Sequence, residues 1–262
     1  MRTPFMILAM LAMVGPAAGE TIQLFAAGSL RGALTDVASA YEASSGNKVV
    51  AKFGASGLLK NELSAGAHAD VFASANMEHP QSLHDEKKSG PVLRFARNKM
   101  CVLVRPGIKV DSASLLDRML DPNIKLGTST PRSDPSGDYA FEVFRKAETI
   151  RPGAQSALEK KALQLTGSSN SPAPPTGRIL YSWHIAEGRA DIFLTYCTNA
   201  LTAQKESPGQ QIVALPDNLA VSADYGLTVI TGASSAAQTL ADFIMSAAGQ
   251  KILSAYGFAP GK

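Results

Sequence analysis

The chain has 262 residues, of which 45% are hydrophobic, 6% aromatic and 18% charged, and its formal net charge is +3. This length and apolar content suffice for one large domain or two modest ones with packed cores. Lys and Arg are scattered and aromatic residues are sparse, which excludes the basic stripe and the base-stacking platforms of a nucleic-acid-binding protein.

Residues 1–19 have the pattern of a secretory signal peptide. Arg2 precedes an apolar run from Phe5 to Val14, and small residues follow as far as Gly19. The run is too short to span a bilayer comfortably, and no cysteine lies at the cleavage site to carry a lipid. We predict cleavage near Gly19 and an exported mature chain that begins at about Glu20.

The mature chain opens with a short apolar strand, residues 22–25, that turns through small residues into a helix. Ser29 stands at the turn, where a helix N-cap is expected. The first N–H groups of a helix are unpaired and carry partial positive charge, so such a turn suits an anion. Taken alone, Ser29 is predicted to be an ordinary helix cap.

Strand and helix patterns alternate along the rest of the chain. A β-α-β-α-β order with short connections predicts a parallel sheet flanked by helices. The predicted strands after the first are residues 48–53, 70–73, 92–95, 100–104, 124–127, 191–196, 211–215 and 224–230. The predicted helices after the first are residues 58–65, 80–87, 111–120, 139–147, 154–165, 178–187, 198–204, 236–246 and 249–256. Residues 128–138 and the low-complexity stretch 167–177 are predicted to be loops.

The alternation divides into two α/β units with a cleft between them. We assign residues 20–97 and 222–262 to domain I and residues 98–221 to domain II. Ligands of open α/β sheets bind beyond the carboxyl ends of the strands, where the short turns lie.

The two cysteines, Cys101 and Cys197, would belong to an exported protein. An even number in an oxidising compartment favours a disulfide bond between them. Spacing alone does not show that they approach each other, so two separate buried thiols are the alternative.

Four junctions between a strand or loop and a helix share one chemistry: small residues beside hydroxyls or free N–H groups. They are Gly28-Ser29, Ala55-Ser56-Gly57, Pro135-Ser136-Gly137-Asp138 and Thr195-Tyr196. Neutral donors at helix starts suit a small oxyanion that is bound without catalytic machinery. Beside the other three, Ser29 is predicted to be both a cap and an anion donor.

The ordered segments FAAGSLRGAL, FGASGLL, AGAHADVFASA and DPSGDYA, with a strand ending in Tyr196 and AYGF near the end, carry a family resemblance. The chain resembles the periplasmic molybdate-binding proteins of ABC importers over nearly all of its mature length. The resemblance implies a type II periplasmic binding-protein fold that closes over molybdate or tungstate. It further implies a monomer that is no enzyme, holds no cofactor beyond its ligand, and delivers the anion to an inner-membrane ABC permease.

The resemblance also implies the residues that hold the anion. Ser29, Ser56 and Tyr196 match the positions of the side-chain donors, and no cationic metal site is implied. Ser136 matches a position that supplies a backbone N–H group, and Arg178 matches the other backbone donor.

Three arginines depart from the family's neutral pocket: Arg31, Arg132 and Arg178 lie in or beside these motifs. Each is either a solvated surface side chain or a charged rim of the cleft. A guanidinium in the cleft would favour a different anion, such as sulfate, phosphate or a small organic acid held by Arg178.

Other functions have weaker support. An exported hydrolase with Ser29 or Ser56 as nucleophile lacks a positioned His or Lys base in the sequence. Asp134 and Asp138 form a conceivable acid–base pair, but beside Pro and Ser they are expected to be turn and cap residues. The four histidines have no zinc-like spacing. A sensory ligand-binding module would need a signalling domain that the sequence does not show.

Overall fold

The computed structural model describes residues 19–261. The predicted signal peptide therefore lies outside the described residues except for Gly19. Over the described residues the strands are β1 (Thr21–Ala27), β2 (Lys48–Gly54), β3 (Val71–Ser74), β4 (Leu93–Val104), β5 (Leu126–Ser129), β6 (Leu163–Thr166), β7 (Ile192–Tyr196), β8 (Gln211–Ala214), β9 (Ser222–Val229) and β10 (Ala259–Pro260). The helices are α1 (Arg31–Ser45), α2 (Ser56–Ser64), α3 (Glu78–Asp85), α4 (Leu115–Leu120), α5 (Pro135–Ile150), α6 (Ala154–Lys161), α7 (Leu180–Ala186), α8 (Cys197–Glu206), α9 (Ser235–Met245) and α10 (Ala247–Ala255).

The first sheet has the parallel start that the sequence predicts. Strand β1 lies between β2 and β3 and is parallel to both, with Leu24 opposite Ala51 and Val71. Strand β9 then returns antiparallel beside β3, and β4 pairs antiparallel with β9. Strand β9 contains most of the predicted strand 224–230, and it pairs within the first sheet, as the assignment of residues 222–262 to domain I requires.

Strand β4 joins the two sheets. Its first half pairs with β9, and its second half pairs with β7 and β8 in the second sheet, where β5 and β6 continue the order β4-β7-β5-β6. The prediction of two strands, 92–95 and 100–104, is wrong because residues 96–99 pair with β9 and keep the strand continuous. The predicted domain boundaries fall within β4 and at the start of β9.

Three predicted helix bounds are also wrong. Helix α5 begins at Pro135 instead of 139, since Asp134 caps it and proline is favoured in the first turn. Helix α6 ends at Lys161, and the rest of the predicted helix forms strand β6 because it pairs with β5. Helix α4 begins at Leu115 because Asp111 accepts a hydrogen bond from the Ser114 N–H group, which forms a separate turn.

Helices cover the sheets, so the fold is of the predicted α/β class. A large apolar core runs from β1 and α1 to α5 and β7. The structure joins Cys101 on β4 to Cys197 at the start of α8 in a disulfide bond, with their Cα atoms 4.9 Å apart. Among residues 19–261, no helix combines the length and apolar character needed to cross a membrane.

Candidate functional site

A cleft of about 630 Å³ lies where turns of the two sheets meet. One wall comes from the turn between β1 and α1 and from Ala55 at the start of α2. The other comes from Asp134 before α5 and from Tyr196 at the end of β7. Residues of the loop 166–174 complete the lining. The cleft therefore occupies the carboxyl ends of strands, as expected for a ligand site in α/β sheets.

Ser29 lines the cleft from a short 3₁₀ turn, Gly28–Leu30, that precedes α1. Its predicted role as a helix cap is wrong, because its Oγ lies 3.0 Å from the Tyr225 hydroxyl and caps no N–H group. Asn98 donates to the same Tyr225 oxygen at 3.3 Å. When Tyr225 donates to Ser29, the Ser29 proton is left for a ligand.

Ser56 is the buried first residue of α2, just behind the lining residue Ala55. Its Oγ accepts a hydrogen bond of 3.1 Å from the Ala75 N–H group, which leaves its own proton free to donate. The next residue, Gly57, donates its N–H to the carbonyl of Ser133 at 2.9 Å. The start of α2 is thus docked onto the loop before α5, and the two walls of the cleft are in direct contact.

Ser136 lies behind the opposite wall. Its backbone N–H, the group implied as an anion donor, donates to the Asp134 carboxylate at 3.1 Å and caps α5. Its buried side-chain oxygen has no hydrogen-bond partner within the described chain. The hydroxyl of Ser136, not its N–H, is therefore the unused donor.

Tyr196 is almost fully buried at the end of β7 and lines the cleft. Its ring lies between those of Tyr139 and Tyr225, at centroid distances of 6.2 and 5.6 Å. Its hydroxyl has no hydrogen-bond partner among residues 19–261. Burial raises the pKa of Tyr196 well above its ordinary value, so the hydroxyl stays protonated and remains a neutral donor. The disulfide at the next residue, Cys197, anchors this end of β7 to β4.

The arginines lie at the rim. Arg31 lines the cleft with its guanidinium 4.8 Å from the centroid of the Phe53 ring. Arg178 also lines the cleft, but its Nε donates to Glu206 at 2.5 Å. Arg132 is exposed and is not part of the lining. The cations are thus at the mouth, while the floor is built of neutral hydroxyls.

One carboxyl group interrupts this neutral floor. Asp134 lines the cleft, and burial raises its pKa to about 6, against the opposing effect of the Ser136 N–H group. Tyr181 lines the cleft as well, and burial raises its pKa to about 12. The sequence reasoning missed Tyr181, and it assigned Asp134 to a turn or cap and not to the ligand cleft. The Asp-Pro dipeptide correctly predicted a cap, but no local pattern shows that a cap residue also faces a ligand cleft.

The structure thus brings some of the predicted site residues together and places others behind them. Ser29, Tyr196, Arg31 and Arg178 line one cavity. Ser56 and Ser136 lie directly behind lining residues, and Arg132 lies outside. Within residues 19–261, no group of three or more potential metal ligands forms a cation site. The cleft thus offers neutral hydroxyl donors, among them the unpartnered hydroxyl of Tyr196.

Comparisons with known proteins bear on this site. Residues 22–259 match the family described as bacterial extracellular solute-binding protein. An uncharacterised protein of Pasteurella multocida is 32% identical over 240 residues, which cover 91% of this chain and 98% of that one. A molybdate-binding protein of Escherichia coli is 26% identical over 246 residues, which cover 90% and 88%. The solved structure of the sulfate-binding protein SubI from Mycobacterium tuberculosis has a TM-score of 0.77 at 19% identity, over 92% of this chain and 87% of its own.

Proposed function

The chain belongs to the bacterial extracellular solute-binding proteins, and we propose that it captures a small oxyanion in the cleft for delivery to an inner-membrane ABC permease. Molybdate and tungstate are the first candidates, because a molybdate-binding protein is among its relatives. In this proposal the chain is exported to the periplasm by its N-terminal leader, acts as a monomer and uses no further cofactor.

The observation that carries the proposal is the Tyr196 hydroxyl. A buried donor left without a partner costs about 1–3 kcal/mol, so such groups are rare unless a ligand or water uses them. The hydroxyl of Tyr196 lines the same cavity as Ser29, and both residues adjoin Tyr225. Two neutral donors that converge from different sheets fit the oxygens of one anion.

Binding and closure are coupled in this proposal. Ser29 and Ser56 follow strands β1 and β2 of the first sheet, and Tyr196 ends strand β7 of the second. Only a closed cleft brings both sets of donors to one ligand, so a bound anion stabilises the closed arrangement. The hydrogen bond from Gly57 to Ser133 adds a direct contact between the two walls in that arrangement.

Isothermal titration calorimetry tests the proposal with molybdate, tungstate, sulfate and phosphate on the full mature chain. We expect at least one of these anions to bind, and Ser29→Ala to weaken that binding by about tenfold or more. Ser39→Ala is the matched control, because Ser39 lies exposed on α1 and donates only to the Thr35 carbonyl. The proposal fails when no anion of the panel, nor of the organic panel below, binds.

The size of the cleft favours a second candidate, an organic anion. A cleft of about 630 Å³ lies within the range of about 300–1,000 Å³ that is usual for small organic ligands. Arg31 and Arg178 at the rim would meet the distal part of such a ligand. Titration with small phosphomonoesters and hydroxy acids, in competition with the inorganic anions, separates the two candidates.

The alternative function as a serine hydrolase requires a general base beside Ser29, and the side-chain partner of Ser29 is not one. The side-chain partner of Ser29 is the Tyr225 hydroxyl, and burial raises the pKa of Tyr225 far above its ordinary value. A neutral tyrosine holds its proton and does not activate a serine nucleophile. Relatives of this family are described as solute-binding proteins.

A further inference from the structure

A carboxyl group in a cleft for anions needs an explanation. Asp134 lines the cavity together with Ser29 and Tyr196. An ionised carboxylate only accepts hydrogen bonds, and so does a fully deprotonated oxyanion. Two such groups in contact repel each other and leave their lone pairs without donors.

Asp134 is held in place from several sides. Its Oδ1 accepts from the Ser136 N–H, its N–H donates to Thr130, and its carbonyl accepts from Gly137. Gly167 has a φ of +86° and packs so closely that a Cβ there would lie 2.8 Å from Asp134 Oδ2. The carboxyl is therefore fixed at the wall and does not swing away when a ligand arrives.

No cation neutralises this carboxyl. The ion pairs found within residues 19–261 do not include Asp134, although the carboxylates of Glu86, which is exposed, and of Glu206, which is half-buried, are paired with Lys or Arg. The hydroxyls around it are neutral, since burial raises the pKa values of Tyr181 and Tyr196. Oδ1 accepts the helix-cap N–H, and the nearby Ser129 hydroxyl is a further donor to this carboxyl that opposes the rise in its pKa. Each carboxylate oxygen has two lone pairs, so Oδ2 can still accept a hydrogen bond from a ligand.

We propose that Asp134 is the specificity-determining residue of the cleft: it accepts a hydrogen bond from an O–H group of the bound oxyanion. The site then selects oxyanions that carry a hydroxyl hydrogen over those that are fully deprotonated. This inference rests on the proposed function, since it presumes that the cleft binds an oxyanion. It reverses the order of candidates that the relatives suggest: hydrogen phosphate, or a phosphomonoester with a neighbouring hydroxyl, ranks ahead of sulfate and also ahead of molybdate and tungstate.

Hydrogen phosphate and sulfate form a matched pair of probes at about pH 8, where Asp134 is ionised. Both are tetrahedral, and both carry two negative charges, but only hydrogen phosphate has a hydrogen to donate. Glycerol 3-phosphate and n-propyl phosphate form the second pair, in which only the first carries hydroxyls. The two pairs distinguish a free inorganic anion from an organic one.

Calorimetry on the wild-type chain and on Asp134→Asn provides the test. We expect the hydrogen-bearing member of at least one pair to bind the wild type at least about tenfold more tightly. Asp134→Asn places a donor at the same atom position, so this preference should fall by about tenfold or reverse. Asparagine is also a good N-cap, which preserves the start of α5.

Asp138→Asn is the control, because it removes a carboxylate one turn further along α5 that accepts from the Arg132 N–H group. It should leave the preference unchanged. Binding without a preference in either pair, or a preference that Asp134→Asn does not alter, overturns the role of Asp134 and leaves the proposed function standing. If Asp134→Asn does not fold, the ratios measured on the wild type decide alone. Absence of binding by every anion removes the proposed function itself.

Discussion

Replacement of Tyr196 by phenylalanine should separate binding from stability. The hydroxyl of Tyr196 is buried and has no hydrogen-bond partner among residues 19–261. Its removal breaks no hydrogen bond of the unliganded protein and removes a desolvation cost of about 1–3 kcal/mol. We therefore expect the free energy of unfolding to stay the same or to rise by about 1 kcal/mol. In the complex the same change removes a hydrogen bond to a charged ligand, worth about 1.5–3 kcal/mol, so the Kd should rise about ten- to a hundredfold.

Two other tyrosines calibrate this result. The Tyr225 hydroxyl bonds with Ser29 and Asn98, so Tyr225→Phe should lower both stability and affinity. The Tyr41 hydroxyl bonds with the Ala236 carbonyl and the Thr239 hydroxyl and accepts from Asn47, and Tyr41 does not line the cleft. Tyr41→Phe should therefore lower only stability, by about 1 kcal/mol or more.

Calorimetry with the tightest-binding anion and urea unfolding of the free protein measure the two quantities. A Tyr196→Phe protein that is destabilised but binds with unchanged affinity would refute the assignment of this hydroxyl as a ligand donor.

Three further predictions concern the walls of the cleft. Burial raises the pKa of Asp134 to about 6 from its usual 3.8, so the folded state binds this proton more tightly than the unfolded state and stability falls as the pH rises from about 4 to about 6. The full pKa shift corresponds to a loss of about 3 kcal/mol in the free energy of unfolding, and because the cleft admits water we expect a loss of about 1–2 kcal/mol. Asp134→Asn should abolish this pH dependence in urea unfolding followed across the same pH range. A Cβ at Gly57 would lie 2.4 Å from the carbonyl oxygen of Arg132. Gly57→Ala should therefore hinder closure of the cleft and raise the Kd, measured by calorimetry, about tenfold. An unchanged affinity would contradict the role of this contact. The disulfide bond between Cys101 and Cys197 links residues that are 96 positions apart. Replacing both cysteines by serine should lower the free energy of unfolding, measured in urea, by about 4 kcal/mol. A change near zero would show that the disulfide bond does not constrain the unfolded chain.

The pattern of apolar residues along the sequence was sufficient to predict the α/β class of the fold. The apolar strand β1 and the amphipathic helix α1 alternate with similar elements, and this order predicts parallel pairing without any knowledge of contacts. The family resemblance read from the motifs is confirmed by the match over residues 22–259 and by the molybdate-binding relatives. Loops and helix starts carried that resemblance, and these are the segments that bind ligands in α/β folds.

The features that the sequence pattern did not predict depend on contacts between residues far apart in the chain. Ser29 is at the expected place, but its hydroxyl bonds with Tyr225, 196 residues further along the chain, instead of capping α1. Strand β6 was predicted as the end of a helix because only its pairing with β5 makes it extended. Asp134 was correctly expected to be a cap residue, yet its place at the cleft depends on how α5 and the loop at Gly167 pack together. Such facts belong to tertiary structure, which single-sequence patterns do not contain.

In this cleft, the charged groups that attract an anion are different from the buried groups that discriminate among anions. Arg178 is already paired with Glu206, and recruiting its guanidinium for a ligand would leave that carboxylate without its cationic partner, with only the Ile179 N–H still donating to it. Arg31 is exposed and stacked on Phe53 at the mouth. Cations in these positions attract an anion over about 10 Å at about 0.1 M salt, but water at the rim screens them once the anion is bound. Discrimination among anions is then left to the buried groups, Tyr196 and Asp134, where a single hydrogen on the ligand decides between attraction and repulsion. The arginines at the rim act mainly on the association rate, whereas the buried groups act on the lifetime of the complex. Specificity in this cleft is therefore set by the positions of the Tyr196 hydroxyl, a donor, and the Asp134 carboxylate, an acceptor.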